Sequence, residues 1–413
     1  MNILYVNHYA GGPAYGMEYR PYYLSREWVR SGHRVRLLAA SYSHVRSVQP
    51  RWKDGAGDDV WVEDVDGIEF AWHRTPSYSG NNLGRAMNIG VFLARVALRA
   101  SRTVKEFSPD IVIASSTYPM DIWVARRIAR MAGAKLVFEV HDLWPLSPVE
   151  LGDMKPGHPF VRLCEVAERT AYSDADIVVS MLPVIATHAA ERGLALERLH
   201  IVPNGISPEE WEAPAELLRE EIRSFIDAQH RDGRLVVCYA GAHGLPNALD
   251  VLLDAAELLR ERPLAFILVG DGMEKRRLAE RLTAAGNDRV KMFGPVLKAQ
   301  IPTLLASIDI AYIGLRPSPL FRFGIAPNKL LDYMMAGCTI LQSVDAGNDP
   351  VADAGCGLTV PPGYPAAVAD GLIRLSEMPA EARQDMGRRG RDYVLENHTY
   401  PVLARRFLAA CER

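Results

Sequence analysis

The sequence predicts an α/β protein of two doubly wound domains. Three observations predict it. Short apolar runs rich in Val, Ile and Leu alternate with helix-period segments throughout the chain. The alternation restarts after the turn Pro203-Asn-Gly205. The 413 residues also exceed what one ordinary core can fill. Strands that alternate with helices form a parallel sheet covered on both faces.

Asn2-Ile-Leu-Tyr-Val6 reads as the first strand, followed by a glycine-rich loop and a helix over 19–31 that Gly32-His33 ends. Strands are predicted over 34–39, 68–73, 111–114, 135–140, 177–180 and 199–202, with helices over 85–105, 121–131 and 160–173. Residues 207–232 read as polar and helical. A second set of strands is predicted over 235–240, 264–269, 290–293, 308–313 and 339–341, with a helix over 247–260. Helices close the chain over 364–413. The domain bounds are 1–204 and 205–392, with a C-terminal helix over 393–413 that can return to the first domain. Ligands of such sheets bind outside the carboxyl ends of the strands. If the domains face each other, the loops there line one cleft.

Composition bounds the function. The chain is 48% hydrophobic and 23% charged with a net charge of −3, which argues against a nucleic-acid binder. Its apolar runs fall short of a membrane span. Met1-Asn-Ile-Leu-Tyr-Val-Asn7 lacks the basic region of a signal peptide. The 5 cysteines are scattered and form no CxxC, so they read as reduced, buried thiols of a cytoplasmic protein. No histidine pairing points to a metal site. Asp64-Val-Asp66 lies in an acidic loop and Asp174-Ala-Asp176 at a helix end. Neither ends an apolar strand, as a metal-binding Asp-x-Asp would. The segment 85–105 holds Arg85, Arg95, Arg99, Arg102 and Lys105 without an acid, interleaved with Met87, Ile89, Phe92 and Leu98. Two readings stay open for it. It packs on its own domain with a solvated basic face, or it lies peripherally on an anionic bilayer.

The stretch 323–337 is the most informative. Pro327 suits a first helical turn, Leu330, Leu331, Met334 and Met335 form one apolar face, and Gly337 stops the helix. Lys329 and Asp332 are three residues apart, on one face near the helix start. A helix N-terminus beside a lysine suits an anion, and a carboxylate one turn further in suits ribose hydroxyls. A nucleoside diphosphate fits both. An ordinary amphipathic helix with a surface Lys–Asp pair is the plain alternative.

Several motifs in order carry a family resemblance. They are the glycine loop after the first strand, His141-Asp142, Val202-Pro-Asn-Gly-Ile206, Tyr239-Ala-Gly241, Leu268-Val-Gly-Asp-Gly272 and Pro327-Asn-Lys-Leu-Leu-Asp-Tyr333. Over the whole chain they resemble a family 4 retaining glycosyltransferase of the GT-B fold. Glu139-Val-His-Asp-Leu-Trp-Pro-Leu-Ser147 is most similar to the branch that builds bacterial surface polysaccharides, which includes N-acetyl-fucosamine transferases. The resemblance implies a UDP-linked sugar as donor substrate and no metal or other cofactor. It implies a sugar or polyprenyl-diphosphate-linked sugar as acceptor. Asp332 would bind the donor ribose, Asn328 and Lys329 the diphosphate, and Gly294 would present backbone to the base. Gly11 and Gly12 would let backbone approach the donor phosphate. His141 would sit beside the transferred sugar, and His141 and Lys329 are the catalytic candidates.

The chain departs from the pattern in two places. Gly324 stands where an acid is expected ahead of Asp332. Ala242 and Asn247 stand where an Arg and a Lys are expected. Asn247 therefore joins the donor-side residues, and the diphosphate charge falls to Lys329 with Arg316 and Arg322. His8, Glu18 and Arg20 are acceptor-side candidates, with plain helix-start charges as the alternative for the last two. A double displacement needs a carboxylate nucleophile, and no acid is an evident candidate. A front-face route is therefore expected. The rival functions are a GT-B epimerase or hydrolase of the same nucleotide sugars, and a non-catalytic nucleotide-sugar-binding subunit.

Overall fold

A computed structural model describes residues 1–16, 19–52, 59–80, 82–152, 154–212, 214 and 216–412. The chain divides into two compact units, Met1–Asn204 with Tyr400–Arg413, and Gly205–Thr399.

The first unit holds β1 (Asn2–Val6), β2 (Arg34–Ala40), β3 (Val60–Val65), β4 (Ile68–His73), β5 (Ile111–Ala114), β6 (Lys135–Val140), β7 (Ile177–Ser180) and β8 (Leu199–Ile201). Their order is β3-β4-β2-β1-β5-β6-β7-β8. Every pairing is parallel except β3 with β4. Strand β3 corrects the reading of Asp64-Val-Asp66 as part of an acidic loop. Glu63 and Asp64 lie in an edge strand, opposite Phe70 and Glu69. Edge strands tolerate charge, which hid this one from pattern reading. The direction of strand succession reverses between β1 and β5, the place where such sheets bind ligands.

Three helices of this unit bear on the site: α1 (Arg20–Arg30), α2 (Leu83–Phe107) and α3 (Asp121–Ala132). Helix α2 starts where Asn82 Oδ1 accepts the Gly84 N–H at 2.9 Å. Ile89, Phe92, Val96, Ala100 and Phe107 recur at helical spacing and are buried. That face packs within its own unit, as the first of the two readings holds. Part of the basic stripe is paired, Arg95 with Asp59 and Arg102 with Glu106 at 2.6 Å. Met87 and Leu98 stay exposed. Among the described residues no helix is long and apolar enough to cross a membrane.

The segment 393–413 is not one helix. Helix Ala380–Asn397 ends before Tyr400–Cys411 begins. The last helix packs on α1. Tyr400 stacks on Tyr23 with centroids 4.7 Å apart, and the Trp28 indole donates to the Ala404 carbonyl at 3.1 Å. Trp28 is fully buried, so its truncation to Ala would cost about 3–5 kcal/mol.

The second unit holds β9 (Leu235–Ala240), β10 (Leu264–Val269), β11 (Val290–Phe293), β12 (Ile310–Gly314), β13 (Thr339–Ser343) and β14 (Gly357–Val360). The order is β11-β10-β9-β12-β13-β14, all parallel, with the reversal between β9 and β12. The edge strand β14 has only four residues and gave no sequence signal. The helix expected over 247–260 starts at Leu249, because Ala248 takes a left-handed φ of 48°. Asn247 instead closes the short 3-10 turn Leu245–Asn247 ahead of that helix. All five cysteines are buried and free.

Candidate active site

His141 follows β6, and its Nε2 lies 2.8 Å from Ser115 Oγ and 3.1 Å from Glu139 Oε2. Glu139 points inward from β6 and is fully buried. Its Oε2 accepts the Tyr5 hydroxyl and, at 2.5 Å, the Ser115 hydroxyl. Its Oε1 accepts Arg20 Nε at 2.9 Å. Burial opposes the charge of Glu139, yet the Arg20 guanidinium, then His141 and Ser115, hold it well below the usual carboxylate range. An ionised Glu139 accepts the hydrogen bond that the Ser115 hydroxyl donates, so Ser115 Oγ accepts from His141. A neutral His141 ring therefore carries its proton on Nε2. Asp121, at the start of α3, is fully buried and accepts the Ser116 N–H at 2.7 Å. Burial pushes its carboxyl up to about 7.

Sequence reasoning missed Tyr5, Ser115, Asp121 and Glu139. The one available signal was a glutamate inside the apolar run Leu136-Val-Phe-Glu-Val140.

Two acceptor-side candidates are corrected. Arg20 is buried, ion-paired to Glu139, and also donates to the carbonyls of Val202 at 2.8 Å and Pro203 at 2.5 Å. It braces the sheet instead of facing a substrate. His8 is fully buried, with Nδ1 2.7 Å from the Tyr118 hydroxyl and its ring against Tyr9 and Phe92. Burial, then Arg46, lowers it to about 3, so it is a neutral core histidine. Glu18 lies outside the described residues.

Gly11 and Gly12 lie buried in the loop after β1. Gly12 exchanges hydrogen bonds with Gly16, and a Cβ on Gly12 would come 3.2 Å from the Tyr22 ring. Packing alone thus restricts Gly12. Arg46 holds this loop from behind through the Ala10 carbonyl at 3.3 Å.

A cavity of about 670 Å³ opens in the same unit between the start of α2 and the segment after His141. Leu83, Ile89, Trp144, Leu151, Met154 and Phe160 line it, with Arg85 among them. Asp142 and Trp144 also border the small void beside His141, so the cavity adjoins that residue.

In the second unit, Lys329 extends from the helix Asn328–Met335 to the loop after β9. Its ammonium lies 2.9 Å from the Tyr239 hydroxyl and 2.6 Å from Asn247 Oδ1. Burial lowers it to about 8. Pro327 is the extended residue that caps this helix, not its first turn, and Asn328 is exposed at the helix start. Asp332 does not pair with Lys329. Burial pushes its carboxyl up to about 7, with Lys298 and Glu210 as its charged neighbours.

Glycines shape the floor of this region. A Cβ on Gly270 would strike the Gly241 carbonyl at 1.9 Å, and one on Gly272 the His243 carbonyl at 2.4 Å. Gly270 has φ of +150° and Gly272 of +157°, which side chains rarely adopt. His243 is fully buried between these loops, and neither ring nitrogen has a hydrogen-bond partner among the described residues. Burial, then Lys275, lowers it to about 4. Gly294 offers its carbonyl to Arg219 at 2.9 Å. Arg316 is exposed, and its N–H ties its loop to the Pro246 carbonyl at 2.8 Å. Arg322 is exposed but turned onto its own loop, donating to the Pro319 carbonyl and lying 4.3 Å over the Phe323 ring. The structure therefore joins Lys329 with Asn247. Arg322 and Asp332 each turn to other neighbours.

Residues 15–205 match the glycosyl transferase 4-like domain family, and residues 234–378 match the glycosyl transferases group 1 family. The chain is a family 4 glycosyltransferase of the GT-B fold. It is 24% identical over 329 residues to WcaI of Escherichia coli K12, provisionally named a colanic acid biosynthesis glycosyl transferase, covering 78% of each chain. It is 25% identical over 308 residues to WbjE of Pseudomonas aeruginosa, provisionally named a glycosyltransferase, covering 73% of this chain and 74% of that one. Among solved structures it is similar to HepE of Anabaena in complex with UDP and glucose, with a TM-score of 0.65, 16% identity and coverage of 100% and 99%. WaaG, a glycosyltransferase of lipopolysaccharide biosynthesis, matches with a TM-score of 0.61, 17% identity and coverage of 99% and 98%.

The departures of this glycosyltransferase have structural counterparts. At Gly324, where an acid is expected, the chain turns with φ of +96°. The Asn348 amide clamps the next residue there, accepting the Ile325 N–H at 2.7 Å and donating to its carbonyl at 3.1 Å. The two Asp-x-Asp sequences serve the fold. Asp174 pairs with Arg126 and Arg130, and Asp176 accepts the Leu136 N–H at 2.7 Å. Asp64 accepts the Gly67 N–H at 3.2 Å, and Asp66 the Tyr22 hydroxyl.

Proposed function

We propose that this glycosyltransferase moves a sugar, with retention at the anomeric carbon, from a UDP-linked donor to a sugar or polyprenyl-diphosphate-linked sugar in surface-polysaccharide synthesis. One observation carries the donor half. Lys329 is a largely desolvated cation, at the reversal point of the second sheet, with no carboxylate in ion-pair range among the described residues. A buried charge without a counter-charge is costly. A diphosphate would supply the missing charge, and Asp332 would take the ribose hydroxyls. HepE, a structural neighbour, has been solved with UDP and glucose, which supports UDP as the nucleotide.

In this reading the anomeric C–O bond breaks and its electron pair passes to the diphosphate oxygen. The acceptor hydroxyl oxygen bonds to the same face of the anomeric carbon, and its proton goes to the departing diphosphate. Lys329 stabilises the developing negative charge without reorganising. The role needs no metal ion, so donor binding should survive EDTA. His141, beside the small void that adjoins the cavity, would contact the transferred sugar. The apolar cavity beside His141, with Arg85, suits an acceptor that carries a lipid diphosphate. Peripheral contact through the exposed cations of α2 belongs to the same reading.

Thermal-shift titrations with UDP, GDP, ADP and dTDP in EDTA test it, on wild type and Asp332→Ala. A ligand of the native state raises the melting temperature by mass action. A rise with UDP that Asp332→Ala abolishes supports the donor site. A rise with another nucleotide changes the donor, and no rise with any of them sinks the reading. UDP release from a UDP-sugar without transfer would favour the hydrolase.

A further inference from the structure

We propose that Asn247 and Tyr239 are positioning residues whose oxygen atoms aim the Lys329 ammonium at the donor diphosphate. The inference rests on the proposed function, because it needs an anionic leaving group bound beside Lys329.

The hydrogen-bond directions are forced by one carbonyl. The Ala242 carbonyl accepts the Tyr239 hydroxyl at 2.8 Å and Asn247 Nδ2 at 3.0 Å. Tyr239 has one proton to give, and it is spent there. The Asn247 amide is oriented by the same carbonyl, so its Oδ1 faces the other way. Both oxygens are left as acceptors, and both meet Lys329, at 2.9 and 2.6 Å. Two of the three ammonium protons are then fixed, and one is left to donate elsewhere. Neither oxygen carries charge, so the ammonium is aimed without being neutralised. A carboxylate in place of Asn247 would satisfy it and weaken its pull on a phosphate.

Other features serve the same end. The ammonium lies 4.7 Å over the Tyr239 ring, which stiffens an otherwise flexible stem. At Gly241, with φ of +151°, a Cβ would stand 3.4 Å from Lys329 Cε and Nζ. Any larger side chain there would crowd the ammonium. The left-handed Ala248 delays the next α-helix and so keeps Asn247 in the 3-10 turn before it. Asn247 stands where the family pattern places a cation. The arrangement brings a cation to that loop from a different helix.

The test measures the dissociation constant of UDP by calorimetry between pH 6.5 and 9.5, or of the nucleoside diphosphate that the titrations select. The variants are Asn247→Ala, Asn247→Asp, Tyr239→Phe and Lys329→Ala, with each of the first three also combined with Lys329→Ala. Asn247→Ala and Tyr239→Phe should each weaken binding about tenfold. Neither should add a loss in the Lys329→Ala background, a coupling that a merely structural role would not produce. Asn247→Asp should move the alkaline limb of the affinity profile upward, because a carboxylate holds the proton on Lys329. Burial, then Lys275, lowers His243 beside Lys329 to about 4, and burial raises the Tyr239 hydroxyl, so neither confuses that limb. Equal losses with and without Lys329, or no loss, overturn the positioning role and leave the donor reading standing. A folded wild type that binds no nucleoside diphosphate overturns both.

Discussion

Lys329 and Asp332 stand one turn apart on the same short helix and turn to different partners. Lys329 reaches Tyr239 and Asn247, while Asp332 has Lys298 and Glu210 as its charged neighbours. Opposite charges at this spacing commonly pair on a helix surface. Here burial acts on each separately, bringing the ammonium down to about 8 and the carboxyl up to about 7. A nucleotide would give each what it lacks, a diphosphate for the cation and hydroxyl donors for the acid.

Lys329→Met should therefore stabilise the ligand-free protein and weaken its response to nucleotide. The folded state disfavours the ammonium, whose value there is about 8 against about 10.4 in an unfolded chain. The unfolded chain binds more protons between those values, so wild-type stability rises through that window and the burial penalty is fully present below pH 8. At pH 7 the Met variant should melt higher, by about 2–4 °C for each kcal/mol relieved. The gap should close as the pH approaches 10. Melting curves at pH 7 and 10 decide it, and a variant that melts lower at pH 7 refutes the burial argument.

Asp332→Asn tests the other charge. A carboxyl raised to about 7 when folded favours the protonated form. Its contribution to stability is complete below the unfolded value of about 3.9 and is lost as the pH rises through 7. The Asn variant should match wild type near pH 3.5 and melt higher than wild type at pH 8. UDP affinity should behave oppositely. In wild type it should strengthen from pH 6 to 8 as the carboxylate forms. In the variant that rise should be absent and the affinity weaker by about tenfold or more, for two lost charge-assisted hydrogen bonds. A wild-type affinity that does not change across that range would detach Asp332 from the ribose.

His141→Ala and Glu139→Gln should separate chemistry from architecture. Truncation of His141 leaves the ion pair of Glu139 with Arg20 in place, so the fold and the UDP response should stay intact. Transfer should fall about a hundredfold or more, the cost of losing one oriented polar contact at the reacting centre. Glu139→Gln instead strands the Arg20 guanidinium in a dry interior. Removing one partner of a buried pair costs about 3–5 kcal/mol. The Gln variant should show a lower melting temperature and early urea unfolding before any effect on turnover is measured. Equal melting of the two variants would mean that Glu139 is not the keystone described.

The contrast between these residues shows what the sequence could and could not reveal. Alternating apolar runs exposed both sheets, because parallel strands covered on two faces are apolar almost throughout. The two limits of the Lys329 helix were readable from Pro327 and Gly337, which are local signals. Glu139 was not, since its meaning depends on Tyr5, Arg20 and Ser115, 134, 119 and 24 residues away. The link from Lys329 to Asn247 spans 82 residues and is equally invisible. His8 and Arg20 were misread for a related reason. Their places at a strand end and a helix start suggested a ligand-facing surface, but the surrounding rings and carbonyls enclose them. Position along an element is local, whereas burial is a property of the packed unit.

The cavity beside His141 yields the last prediction. Leu83 is 88% exposed and Leu151 65% exposed at its mouth, an arrangement that costs solubility unless something apolar uses it. Arg85 adds a cation that Tyr9, through its hydroxyl at 3.0 Å, holds in place. An apolar chain with an anionic head matches this pairing, and farnesyl diphosphate is a soluble probe of it. Calorimetry should detect its binding to wild type, with a negative heat-capacity change that reports apolar burial. Leu83→Glu and Leu151→Glu place like charge and polarity where the chain would lie, and should each abolish binding while leaving the UDP response unchanged. Both positions are exposed, so neither change should cost much more than about 0.5 kcal/mol of stability. Inorganic pyrophosphate should bind far more weakly than farnesyl diphosphate if the chain supplies the affinity. Equal binding of the two would assign the affinity to charge alone, and the cavity would lose its claim on a lipid-linked acceptor.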